Sequence, residues 1–558
     1  MRSIFIWLIL INSFALNAQT TYSLQYAKAI ENEASSNVAE HSYILHGSKD
    51  LFYYRDNQII ILDLGTFTET VFATIGTNAS TDIMQIYIDA NGNVYAGGST
   101  TENENFTTDG VYMPTYDSSE EIYYFVAKYD SEGTLVARSY MKHYGVGGLG
   151  KKPLAVDGEG NIYLVDYLHY TETIPEATFQ SSVTIAEGTF FDGYAPVLYK
   201  LNSNLQLIWK TFFAHHITSV THINTLDNNQ LVVYGNFIKN VEYNITSPNF
   251  FSTPGTFIDN NNINDSFGTY KGFLNVFNTD GTRAWGTYLN YNPPTFVLDC
   301  KTFGNDIYII NSTSFEPTPE TIFQEQKANM LSKFDANGNR IWSTYTNAEN
   351  FQIDSSGKIY LYGSINTNNL STTENCFQDQ LSPPMPNIGY NYTDGYHQII
   401  SNDATQLLYS TYYGNYGSDR TIKIFPQTSG YYSLESVGNY NNSNDFITDG
   451  SPLTQDGAFY KGRVLSLFGQ TASNTKQELE NLSVYPNPVE DQLIIENEFA
   501  FKDSDQVKVY NILGQNIKFD KQIDNQYIYI NTTSWFSGIY LIEVFVGGKK
   551  GTYKVIKK

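Results

Sequence analysis

Histidine is scarce in this chain, eight in 558 residues, and three of the eight stand together as His215, His216 and His222 in FFAHHITSVTHI. Neighbouring residues of a strand point to opposite faces, so His215 and His216 cannot both ligate one ion from a regular strand, although His216 and His222 share a parity. Aspartates recur in turns as Asp89, Asp157, Asp335 and Asp354. A calcium loop needs acids at alternate positions and a distal Glu, whereas D-A-N-G-N offers one carboxylate and an amide, which is turn chemistry. The carboxylates of Glu120, Glu121, Glu172 and Glu176 would need a separation of roughly 5 to 9 Å to serve a glycosidase, and sequence cannot establish it. The strings G-x-S-x-G, H-E-x-x-H, C-x-x-C and the P-loop are absent from the sequence. The expectation is a protein with no catalytic residues, no metal and no cofactor.

Composition narrows the partners. Charged residues make up 16%, yet 57 acids against 33 bases leave a net charge of −24. Such a surface repels phosphate backbones and anionic headgroups, so no nucleic-acid partner is expected and anionic membrane surfaces are disfavoured. With 41% hydrophobic residues and 45 Tyr the chain can bury a large core, which excludes global disorder. Two cysteines, Cys300 and Cys376, are too few for a disulfide framework, and whether they pair stays open.

The N-terminus places Arg2 before the apolar run IFIWLILI (residues 4–11), followed by NSFALNA. This predicts a signal peptide over 1–18, cleaved between Ala18 and Gln19, because the run is too short to span a bilayer. No second long apolar run follows, so no transmembrane segment is expected.

The body repeats. A strand, a turn and an aromatic strand recur as IYIDANGNVYAGGS at Ile86, LAVDGEGNIYLVDY at Leu154 and FQIDSSGKIYLYGS at Phe351, with looser copies at Leu45, Asn224, Asp299 and Phe425. A second unit follows each of the middle five, as in FVAKYDSEGTLVARSY at Phe125 and MLSKFDANGNRIWSTY at Met330. Each unit is a hairpin, since alternating apolar strands flank D-x-N-G or D-x-x-G, where Asn and Gly tolerate positive φ. Two hairpins make a four-stranded blade, and seven in series predict an all-β seven-bladed β-propeller. The last unit is short of a strand, so a segment near residues 22–29 is expected to complete it. Trp209, Trp285, Trp342 and Tyr409 recur and read as packing anchors.

Propeller topology gathers the long inserts 99–124, 166–196, 236–272 and 364–397 on one face. They are rich in Tyr, Phe, Asn and Thr, side chains that stack on sugar rings and bond hydroxyls. Their non-repeated members Tyr116, Tyr243, Tyr390 and Tyr392 are the candidate ligand contacts. Within the inserts a small-aromatic-Gln element recurs, as Thr178-Phe179-Gln180 and Cys376-Phe377-Gln378. With the Asp-x-x-Gly-x-x-Tyr and Phe-Val-x-Lys-x-Asp hairpins, this resembles the bacterial seven-bladed β-propeller repeat family over roughly 83–468. That resemblance implies a fold and an extracellular setting, with no shared reaction.

The propeller is expected over 19–468 and a polar linker over 469–480. From 481 to 558, about seven short alternating runs predict a small β-sandwich. Its residues Tyr485-Pro486-Asn487-Pro488, the turn ending at Gly514, Gly538-Ile539-Tyr540-Leu541 and the Lys-rich end with Lys557 and Lys558 resemble the C-terminal sorting domain of the type IX (Por) secretion system of Bacteroidetes. The resemblance implies export through the periplasm, recognition by the outer-membrane machinery, and release or attachment at the cell surface. The expected function is a secreted or surface-displayed binding protein for a glycan, matrix polymer or protein. The alternatives are an extracellular carbohydrate-active enzyme and a surface spacer without ligand.

Overall fold

Each recurrent turn closes by one pattern of hydrogen bonds. Asp89 Oδ1 accepts the backbone N–H groups of Asn91 and Asn93, both at 2.9 Å, while Oδ2 accepts Asn93 Nδ2 at 2.8 Å and the Tyr95 hydroxyl at 3.1 Å. Asp157 repeats this with Glu159, Asn161 and Tyr163, and Asp354 with Ser356, Lys358 and Tyr360. Gly92, Gly160 and Gly357 take φ of 81°, 80° and 85° in these turns, a region that L side chains rarely adopt. Both carboxylate oxygens are thus engaged inside the hairpin. Burial first, and then the adjoining carboxylate, hold the Tyr95 and Tyr163 hydroxyls well above the usual tyrosine range.

These observations come from a computed structural model that describes residues 21–31, 43–77, 80–115, 122–141, 154–169, 171–183, 194–214, 218–239, 251–259, 269–289, 297–312, 316–382, 392–414, 417–439, 454–456, 459–471, 482–497, 500–502, 506–511, 516–546 and 549–558. Hairpins pair into antiparallel sheets that follow one another along the chain. Blade 1 runs from Ile44–His46 to Thr68–Thr74, blade 2 from Thr81–Ile88 to Leu135–Met141, and blade 3 from Leu154–Val156 to Leu207–Phe212. Blade 4 runs from Thr218–Thr225 to Arg283–Tyr288, blade 5 from Val297–Phe303 to Arg340–Thr346, and blade 6 from Asn350–Ile353 to Leu407–Tyr413. In blade 7 the strands Arg420–Gln427, Gly430–Asn439 and Phe459–Thr471 are completed by Thr21–Glu31 at the outer edge. The start of the chain therefore supplies the last strand, as the short seventh unit predicts. Residues 469–471 belong to that blade as well, since Gly469 pairs with Gly430. The propeller thus ends slightly later than composition placed it.

From blade 1 to blade 7 the first strands of successive blades are neighbours, so they line the ring's axis. Each seam between blades carries its own apolar cluster. Blade 7 meets blade 1 through Ile422, Phe425, Leu434 and Leu465 against Tyr43, Leu51, Tyr53 and Leu62. Lys423 Nζ also donates to Tyr43 O across this seam at 2.6 Å. Among the described residues every seam of the ring is closed.

The recurring aromatics bind each blade to the next. Trp209 Nε1 donates to Thr279 O at 2.9 Å, and Trp285 Nε1 donates to Ala336 O at 2.7 Å. Their rings lie on the turn glycines Gly281 and Gly338, where an added Cβ would come within 2.9 and 2.7 Å of the indole. Trp342 and Tyr409, at the equivalent positions, are buried as well. Gly338→Ala combines that clash with a φ of 83°, so it is expected to cost about 1–3 kcal/mol. Thermal unfolding of the variant against the native chain measures it, and an unchanged midpoint would contradict the packing argument.

The described residues from 482 to 558 form a separate compact unit. One sheet pairs Leu482–Tyr485, Gln492–Asn497, Tyr527–Asn531 and Lys521–Asp524, and the other pairs Gln506–Asn511, Gly538–Val546 and Lys549–Lys557. Alternate residues Val509, Ile542, Val544 and Val555 face Leu493, Ile495, Ile528 and Ile530 in one core. This is the predicted small sandwich.

Candidate functional site

Strands of a blade alternate in direction, so the insert after the second strand leaves from the end where the first strand begins. The described part of each insert then turns back along the outer strand. A Ser or Thr that recurs on the fourth strand accepts its backbone N–H: Ser139 from Met113, Thr211 from Gln180, Thr287 from Ile258, Thr344 from Phe323 and Thr411 from Gln378, at 2.8 to 3.1 Å. The next strand residue returns a bond in each case, for example Phe212 N to Gln180 O at 3.1 Å and Tyr412 N to Gln378 O at 3.0 Å. The same element reaches the following blade. Tyr112 N donates to Leu205 O, Phe257 N to Gly338 O and Ile322 N to Ala404 O. The recurring small-aromatic-Gln element is therefore a clasp that covers an outer sheet edge and ties two blades together.

What remains of the inserts for recognition is their non-repeated part. Tyr116, Tyr243 and Tyr390 lie outside the described residues, and Tyr392 is half-buried just before the blade 6 strand Asp394–Ile400.

At the same end of the ring, the starts of the inner strands of blades 5, 6 and 7 bring charges together that sequence spacing does not reveal. Asp299 Oδ2 accepts Phe351 N of the next blade at 3.2 Å, and its Oδ1 lies 3.0 Å from Lys301 Nζ. Glu349 Oε2 lies 3.1 Å from Arg420 Nη2, joining blade 6 to blade 7. Side-chain exposures of 32% for Lys301, 52% for Glu349 and 35% for Arg420 keep the set in reach of solvent. The buried Tyr362 sits among them, its hydroxyl raised above the usual range by burial and then by Asp299. The legible signal was departure from the repeat, because blades 2 and 4 carry Gln85 and His222 where blade 5 carries Asp299.

A second departure lies deep in the seam between blades 6 and 7. His397 Nε2 is 2.8 Å from Glu435 Oε1 and His397 Nδ1 is 3.0 Å from the Tyr431 hydroxyl, with both His397 and Glu435 fully buried.

The other sequence candidates are dispersed. His215 and His216 lie outside the described residues, while His222 is exposed and stacked on Tyr234 with centroids 5.3 Å apart. Cys300 and Cys376 are free thiols, and burial pushes Cys300 far above the usual range. Among the described residues no group of three or more His, Cys, Asp or Glu is placed to hold a metal ion, and no helix is long and apolar enough to cross a membrane.

In the C-terminal unit, the Tyr485-Pro486-Asn487-Pro488 motif has a definite task. Asn487 Nδ2 donates to Lys554 O at 2.8 Å and Asn487 Oδ1 accepts Ile556 N at 2.9 Å, so one side chain satisfies both backbone groups of the final strand's free edge. Val489 N to Ile556 O and Lys558 N to Val489 O continue the seal. Gly538 opens the strand opposite Lys557, and the Tyr540 hydroxyl donates to Phe536 O while its ring packs on Trp535. Ala18, Gln19 and Gly514 lie outside the described residues.

Residues 483–558 match the family described as a secretion system C-terminal sorting domain. No curated protein matches the chain. Among solved structures the chain is similar to the AfRom2 CNH domain, at 10% identity over 80% of this chain and 98% of that chain, with a TM-score of 0.36. It is similar to a protein of unknown function from Dyadobacter fermentans at 9% identity over 76% and 99% of the two chains, TM-score 0.35. It is similar to an oligogalacturonate lyase in complex with manganese at 11% identity over 57% and 72%, TM-score 0.30. The propeller itself is read from the chain's own strand pairing. The chain is thus a secreted cargo that carries a type IX sorting tail behind a β-propeller.

Proposed function

We propose that this secreted propeller is a binding protein that takes an extracellular glycan, matrix polymer or protein at its insert face. One observation carries the reading. The recurring polar side chains described above are engaged in turns and clasps, whereas Asp299, Lys301, Glu349 and Arg420 depart from the repeat at the channel mouth, where Lys301, Glu349 and Arg420 stay partly exposed beside the buried Asp299. The four form two oppositely charged pairs, which supports polar recognition over acid–base chemistry, where a carboxyl is held away from a compensating cation. Aromatic insert residues such as Tyr392 would supply stacking beside them.

Screening the purified propeller against polysaccharides, for binding and for cleavage products, tests this. Glu349→Ala combined with Arg420→Ala is expected to weaken binding about tenfold or more, the loss typical of a central charged contact, with little change in unfolding midpoint because an exposed pair contributes little to stability. Release of oligosaccharides would replace the binding reading with a carbohydrate-active enzyme.

Delivery follows from the tail. The chain crosses to the periplasm behind its N-terminal signal, and the outer-membrane machinery then reads the C-terminal domain and passes the propeller to the surface or the medium. Truncation after Lys476 should strand the propeller in the periplasm, and normal appearance outside the cell would end the assignment.

A further inference from the structure

The C-terminal sandwich wears apolar residues on the wrong side of one sheet. In Gly538–Val546 and Lys549–Lys557 the inward positions Ile542, Val544 and Val555 are buried, and the outward ones should be polar. Instead Ile539, Leu541 and Ile556 are 39%, 40% and 41% exposed, and Phe536 just before the strand is 88% exposed. Ile539 lies opposite Ile556 in register, and Leu541 lies between Tyr510 and Lys554, so the apolar side chains adjoin on one face. Lysines rim it. Lys554 on the last strand and Lys558 just after it flank Ile556 and are exposed, while Lys508 stands opposite Glu543. Lys558 also lies 3.8 Å from Glu490 in an exposed pair.

We infer that this face, centred on Ile539, Leu541 and Ile556, is the surface by which the outer-membrane secretion machinery holds the cargo, through a partner that is apolar at its centre and acidic at its rim. The inference rests on the sorting assignment and adds the surface that carries it. Three features of the domain select this occupant. A sorting domain must be read by a protein receptor. A strand-addition mode is closed at the last strand, because Asn487 and Val489 already occupy that edge. The lysine rim is local, on a chain whose net charge is −24, so it favours an acidic rim opposite.

The test uses the full-length chain in a host with type IX machinery. Leu541→Glu with Ile556→Glu should reduce the protein outside the cell about tenfold or more, as loss of a central apolar contact does, with precursor accumulating in the periplasm. Ile523→Glu, at an equally exposed apolar residue of the other sheet, should be exported normally. Lys554→Glu with Lys558→Glu reverses two of the rim lysines without touching the core, so a loss of export there cannot be ascribed to misfolding. Normal export of both double variants would overturn the inference. Truncation before Leu482 separates the two levels: retained truncate with exported variants sinks only this surface, whereas exported truncate sinks the sorting assignment. Self-association of the purified chain that Leu541→Glu abolishes, with export unchanged, would assign the face to a second copy and likewise overturn it.

Discussion

Deleting Thr21–Glu31 should open the ring. This segment is the outer strand of blade 7, paired to Phe459–Thr471, although it lies hundreds of residues away in sequence. Tyr22 is 3% exposed, with ring centroids 5.1 Å from Tyr409 of blade 6 and 5.3 Å from Tyr431 of blade 7. Ala27 is fully buried beside Val437 and Val464. Tyr22→Ala alone is therefore expected to cost about 3 kcal/mol or more, the usual result of removing a fully packed aromatic. Full deletion removes the whole strand and also bares the edge of Phe459–Thr471, which invites pairing between molecules. Calorimetry should show a lower, broader transition, and size exclusion should show aggregates. A peptide of the sequence TYSLQYAKAIE added in trans should restore part of the monomer. An unaltered midpoint and a clean monomer after deletion would refute ring closure by this strand.

Most of the architecture was legible because its determinants are local. The D-x-N-G turns fix hairpins within a few residues, as the bonds around Asp89 and Asp157 show, and counting them gives the blades. Even blade 1, degenerate in sequence, keeps the pattern, with a turn at Gly47 and strands from Ile44–His46 to Thr68–Thr74. The clasp was visible only as a repeat. Its meaning depends on partners in another element, such as Thr211 for Gln180 and Ala404 for Ile322. The candidate site was less legible still. Asp299, Glu349 and Arg420 are separated by 50 and 71 residues (349 − 299 and 420 − 349) and share no motif. They meet because each begins the inner strand of a consecutive blade, a relation that exists only once the ring closes. Tyrosine enrichment reflects largely the core: Tyr95, Tyr163, Tyr234, Tyr308 and Tyr360 are fully buried seam residues.

The second large effect is expected at the seam between blades 6 and 7. The repeat there supplies its own reference. His397 pairs with Thr411, and the equivalent residues opposite Thr211, Thr287 and Thr344 are Leu198, Leu274 and Leu331. Glu435 pairs with Thr421 beside the strand irregularity, where blades 2 and 4 have Gly98 and Gly235. Blade 6 and blade 7 have thus exchanged an apolar residue and a glycine for a fully buried, hydrogen-bonded pair, 2.8 Å apart. Among the described residues Glu435 Oε2 has no hydrogen-bond partner, and neither has Thr421 Oγ1 beside it. Such a pair adds little over an apolar replacement, because desolvating both groups offsets their attraction, yet removing one partner leaves the other stranded. Glu435→Met alone is accordingly expected to cost about 3–5 kcal/mol, and His397→Leu alone a similar amount. The double variant His397→Leu with Glu435→Met, which fills both places with apolar groups of similar size, should return to within about 1 kcal/mol of the native chain. Denaturant unfolding of the four proteins gives the coupling directly. If the single losses simply add in the double variant, the two side chains are not acting as a pair, and the polar seam has some other cause than their contact.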